Sequence, residues 1–184
     1  MYKTAKNNTS EYYYDAMDLL NTGKAVGAIK LLEKAIKLDS HNVEILVGLS
    51  WCYFAKRNRE KYEKFVKKAF EETKKKFPKW PEDMLWGFLK NRQYLRAIKE
   101  MACIYWEADN QKEAEKLFRL LLKLNPNDNQ GIRYLIAGMF AGITGREVDK
   151  MIDKRNKKQD WSEIENLLSE QNMKHNFWKE PKDE

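Results

Sequence analysis

The chain carries few of the side chains on which covalent chemistry is normally built. Its two histidines, His41 in a loop and His175 near the end, belong to no metal-spaced cluster and no nucleophile motif. Its two cysteines, Cys52 and Cys103, sit inside apolar helical stretches, so they read as reduced core thiols rather than metal ligands or disulfide partners. Gly142-Ile143-Thr144-Gly145-Arg146 has neither the spacing nor the lysine of a phosphate-binding loop. Carboxylates are plentiful but fall on charged helix faces, where solvation accounts for them. The expectation is therefore a protein that is not an enzyme and that holds no metal or cofactor.

What remains is recognition chemistry, carried by aromatic groups and by cations. The formal net charge is +7, and the densest basic run, Lys56 to Lys79, includes Lys67, Lys68, Lys74 and Lys75. Such a surface would contact phosphates without reading bases, giving salt-sensitive, sequence-tolerant binding to nucleic acid. These lysines also alternate with Glu60, Glu63, Glu71 and Glu72, as they would on the solvent side of one long helix.

Helices must position these groups, and the clearest pair lies in Tyr94 to Asp128. Ile98, Met101, Ala102 and Tyr105 recur at helical spacing, as do Ala114, Leu117, Phe118 and Leu121. Asp109 and Asn110 break the pattern between them, and Asn110 followed by Glu113 has the form of an N-cap with a capping acid. Asn125-Pro126-Asn127-Asp128 then stops the second helix. The same device recurs earlier, with Tyr12, Ala16 and Leu19, a turn at Asn21-Thr22-Gly23, and a stripe of Ala28, Ile29, Leu32, Ala35 and Ile36.

This arrangement resembles the tetratricopeptide repeat, a unit of about 34 residues folded as helix-turn-helix. Ala16 and Ala28, and later Ala102 and Ala114, stand where the family places small residues at the close approach of paired helices. The resemblance implies an all-α fold: a right-handed solenoid of three to four helical hairpins. Within one domain over 10–178, the repeats are expected at about 10–42, 43–77, 94–128 and 129–155. Tyr62 replaces an expected alanine, so the second unit should be splayed or longer than its neighbours.

A flexible N-terminus over 1–9 and a charged tail over 179–184 flank this domain. The insertion at 78–93 should hold a short helix from Pro81 to about Lys90, because proline in a first turn followed by Glu82 and Asp83 is a good helix start. A capping helix is expected over 160–178, with Asp160 as its N-cap and Trp161, Ile164, Leu167 and Leu168 on one face, the alternative being a helix that reaches into the groove and inhibits binding until displaced. Trp86 to Leu89, Asn91-Arg92, Leu95 to Ala97 and Leu124 to Tyr134 also look like a bacterial-type subgroup of these repeat proteins, to which no activity attaches.

In the family, the first helix of each hairpin lines the concave surface. The resemblance thus implies partner contacts at Tyr13, Met17 and Leu20, at Val47, Gly48, Trp51 and Phe54, and at Arg96, Lys99, Glu100, Cys103 and Trp106. One known use of the fold grips a terminal carboxylate with lysine, asparagine and arginine. Here Tyr13, Met17, Gly48 and Glu100 occupy most of those places and only Arg96 matches in charge, which argues against such a clamp. The leading expectation is a module that binds a protein or peptide segment, with a nucleic-acid-binding scaffold as the alternative and a homo-oligomer as a third reading. No apolar run approaches the roughly 18 residues of a membrane span. The start, MYKTAKNNTS, lacks the apolar core of a signal peptide, so a cytoplasmic location without membrane contact is expected.

Overall fold

The computed structural model describes residues 3–180, with side chains from Thr9 onward. Among the described residues every regular element is an α-helix: α1 (Lys3–Asn21), α2 (Ala25–Leu38), α3 (Val43–Ala55), α4 (Arg59–Lys76), α5 (Leu89–Glu107), α6 (Gln111–Leu124), α7 (Ile132–Phe140), α8 (Gly145–Lys158) and α9 (Ser162–His175). The protein is thus all-α and built of helical hairpins.

One turn is written four times. In it the first helix ends with the next two amides folding back, one onto the carbonyl three residues earlier and the other onto the carbonyl five residues earlier. Gly23 N–H donates to Leu20 O and Lys24 N–H to Leu19 O; Arg57 N–H donates to Phe54 O and Asn58 N–H to Tyr53 O. Asp109 N–H to Trp106 O with Asn110 N–H to Tyr105 O, and Gly142 N–H to Met139 O with Ile143 N–H to Gly138 O, complete the set. The geometry requires a left-handed residue, and Gly23, Arg57, Asp109 and Gly142 all have positive φ. In the last three instances the second helix is then capped at once: Asn58 and Asn110 accept from the amides of Lys61 and Glu113, and Thr144 forms a reciprocal capping box with Glu147.

The described chain divides into two compact units. The first contains the chain up to Trp80 together with Arg92–Ala97. In it α1 pairs with α2 and α3 with α4, and α2 packs on α3. Ala16 and Ala28 are wholly buried at the first pairing, as small residues at a close approach should be. α3 is apolar almost all round, which explains why most of its residues are core. Val43, Leu46, Val47, Ala69 and Ala97 form one buried cluster, edged by Ile36, Trp51, Phe65 and Tyr94. α4 spans 18 residues against 14 in α2, so the second unit is indeed longer where Tyr62 departs from the pattern.

The second unit contains Pro81–Asn91 and the chain from Ile98 onward. α7 is its centre, packed by α6, α8 and α9. Asp128, buried and in a left-handed conformation, anchors the start of α7: its carboxylate accepts from the Ile132 amide at 2.6 Å and pairs with Arg133 at 3.0 Å. Burial raises its pKa, while these bonds pull the other way. Ile164 and Leu168 bury the inner face of α9, as expected of a final covering helix.

Three expectations are corrected. The helix from Pro81 to about Lys90 does not form. Met84 N–H donates to Leu124 O at 2.6 Å and Trp86 N–H to Asn125 Oδ1 at 3.0 Å, so these amides serve the end of α6 and not a helical ladder. Met84 is buried there, while Phe88 and Leu89 stay exposed; α5 starts at Leu89, inside the expected insertion. α1 begins at Lys3 and so runs through the stretch expected to be flexible, whereas the expectations for residues 1–2 and 181–184 lie outside the described residues. Finally, Trp161 and not Asp160 is the N-cap of α9, and Asp160 instead turns the chain by accepting from the amide and hydroxyl of Ser162.

Candidate functional site

In the first unit, the side chains expected to face a partner converge on Arg96. Its Nη1 donates to the Tyr13 hydroxyl at 3.3 Å, and its guanidinium lies over the Trp51 ring, 5.3 Å from the centroid. Tyr13 and Met17 pack over Gly48, where an added Cβ would come within 3.2 Å of both side chains. Burial drives the Tyr13 hydroxyl up to about 12, although the positive charge of Arg96 acts in the opposite direction. Glu44 is likewise raised by burial, with Arg96 again opposing.

Exposure sorts these residues. Val47 and Tyr13, at 1% and 4% exposure, are core groups, which corrects their assignment as contact surface: Val47 belongs to the buried α3 cluster, and Tyr13 offers only its hydroxyl, to Arg96. Met17, Trp51 and Arg96 are half-buried. Phe54 is 63% exposed, with its ring against Tyr62, 5.4 Å between centroids. Tyr14, which the sequence reading did not select, is also exposed and meets Tyr13 edge to face. Its position one residue beyond the expected contact stripe gave no signal of this.

In the second unit, Lys99, Cys103 and Trp106 are half-buried. The Trp106 indole meets Phe118 edge-on at 6.1 Å, and a Cβ added to Gly138 or Gly145 would lie 3.5 Å or 3.4 Å from its ring. Both are ordinary contact distances, so the ring lies against these two glycines, and only the Val148 side chain, 2.3 Å from a Cβ at Gly138, demands glycine there. Burial raises the Cys103 thiol to about 12, and the positive charge of Lys99 counteracts the burial that raises Asp149. An open cleft lined by Ile143, Glu147, Lys150, Met151, Lys154 and Glu163 contains none of the expected contact residues.

The basic candidates sit on α4. Lys67 pairs with Glu63 at 3.2 Å and Lys75 with Glu72 at 2.7 Å, while Lys74 lies over the Phe70 ring; Lys68 is half-buried. Partners on the same helix thus answer two of the four charges, as on an ordinary solvated face. Among the described residues no cluster of metal-ligating groups occurs, and no helix is long and apolar enough to cross a membrane.

Hairpins with one recurrent turn, alanines at the helix approaches and side chains gathered on successive first helices define a helical-repeat protein. Family models described as Tetratricopeptide repeat match residues 19–80 and 95–128, together just over half of the sequence, and the chain belongs to this family. No curated protein and no solved structure matches it significantly. Repeats of this family generally mediate protein–protein interaction, and its members are typically non-enzymatic scaffolds.

Proposed function

We propose that the protein is an interaction module that takes a peptide or protein segment on the first-helix side of its hairpins, with Trp51, Phe54 and Arg96 as principal contacts. One observation carries this reading: a single guanidinium joins α1, α3 and α5 through Tyr13, Trp51 and Arg96. An aromatic-backed cation, with the exposed Phe54 one helical turn beyond Trp51 on α3, suits an apolar ligand side chain with an acidic neighbour. Met17 borders this group, and the half-buried Lys99, Cys103 and Trp106 are the contacts proposed for the second unit. The same surface could instead join two copies of the chain, which sedimentation of the pure protein distinguishes.

The test is capture from a lysate of the native cells on the tagged chain, with and without nuclease and at low and moderate salt. The expected result is a discrete protein that survives both treatments. Capture abolished by nuclease or by moderate salt would reject the reading in favour of nucleic acid on the Lys67, Lys68, Lys74 and Lys75 face.

A further inference from the structure

The last hairpins already hold a peptide, and it is the chain's own. After α9, Asn176 turns left-handed and the backbone folds back, with the Asn172 side chain accepting from the amides of Phe177 and Trp178 at 3.0 and 2.9 Å. Arg119 of α6 donates to two successive main-chain carbonyls, His175 O at 3.0 Å and Asn176 O at 3.2 Å. Phe177 is 7% exposed, its ring 5.7 Å from that of Phe140 at the end of α7, and Arg133 lies over the Trp178 ring at 5.1 Å.

This is peptide recognition in its usual parts: a bidentate donor for the backbone, one apolar seat and one cation–π seat. The first of these parts is indifferent to sequence, because Arg119 reads only carbonyls. The fit is also incomplete. The Trp178 Nε1 and Arg133 Nε donors are buried and find no acceptor among the described residues, so a ligand bringing an acceptor there would fit better than the resident segment.

We infer that Arg119, Phe140 and Arg133 form a second ligand site, filled in cis by Phe177-Trp178 and open to a partner segment with an aromatic pair and a nearby hydrogen-bond acceptor. It is separate from the Arg96 group and does not depend on the function proposed for that group. Occupancy in cis sets a threshold, since the partner must outcompete a segment tethered at high effective concentration.

The probe is a fluorescent peptide of residues 172–180, titrated against the full chain and against the full chain carrying Phe177→Ala with Trp178→Ala, each checked by circular dichroism for native helix. The emptied chain should bind the peptide at least about tenfold more tightly than the unsubstituted one. Adding Arg119→Ala to the emptied chain, or the two alanines to the peptide, should remove the gain. Equal binding by both chains, no binding by a natively helical emptied chain, or indifference to Arg119→Ala would overturn the inference. So would a dimer of the unsubstituted chain that the emptied chain fails to form, because the seat would then belong to a second copy.

Discussion

Arg96 stacks its guanidinium over the indole of Trp51, 5.3 Å from the ring centroid. The stack fixes the plane of the cation, and the Tyr13 hydroxyl fixes its rotation by accepting from Nη1. Arg96→Ala should therefore destabilise the chain by about 1–2 kcal/mol, from the lost stacking and one lost hydrogen bond. It should also raise the Tyr13 pKa further, since Arg96 is a lowering influence on it. Urea unfolding measures the first effect, and phenolate absorbance during alkaline titration the second.

The repeated hairpin turn makes a prediction of its own. Gly23 and Gly142 occupy the left-handed position without strain, while Arg57 takes it at φ 55°. Arg57→Gly should stabilise the protein by about 1 kcal/mol, and Gly23→Ala should cost a similar amount, even though a Cβ at Gly23 meets nothing within 4 Å. Thermal melts of the two variants should shift in opposite directions.

Gly138 lies inside α7, where alanine is ordinarily the better helix former. Its missing Cβ would fall 2.3 Å from Val148 Cγ2 and 3.5 Å from the Trp106 ring. Gly138→Ala should thus cost about 1–3 kcal/mol by overpacking, in spite of the propensity gain. Equilibrium unfolding should show the loss, and the fluorescence of Trp106 should change with it.

Burial raises the thiols of Cys52 and Cys103 to about 11 and about 12, and the Tyr13 hydroxyl to about 12. The ordinary values are 9.0 for a thiol and 10.0 for a phenol, so the folded state favours the protonated form of all three. Their stabilisation is fully present below those values and is lost as pH rises through 9 to about 12. The melting temperature should fall progressively across that window. Cys52→Ala should flatten the early part of the fall, and at neutral pH the buried Cys52 thiol should resist alkylation until the chain unfolds.

The hairpins were legible in the sequence because their signals are local. Apolar period, the Ala16, Ala28, Ala102 and Ala114 positions, and the Asn110 cap each act within a few residues, and the structure places them as read. The stretch from Pro81 was misread because its helix-start signals are equally local, whereas what decides it is not. The donors of Met84 and Trp86 are taken by Leu124 and Asn125, far along the chain, and no pattern around Pro81 announces that. Among the candidate contacts, Val47 was misplaced for a related reason. In a helix apolar on every side, like α3, periodicity gives no way to tell the core face from the ligand face.

The central claim is that a protein partner is held by the face around Trp51, Phe54 and Arg96. It is tested most directly by comparing three forms of the full chain in quantitative capture of the same partner: unsubstituted, Trp51→Ala with Phe54→Ala, and Lys67, Lys68, Lys74 and Lys75 each changed to Gln. With helical circular dichroism retained in all three, the aromatic double variant is expected to lose at least about tenfold in capture, as the removal of two aromatic anchors should cause. The lysine variant should stay within about twofold of the unsubstituted chain. Undiminished capture by the aromatic variant would contradict the account, and loss confined to the lysine variant would move the interaction to α4.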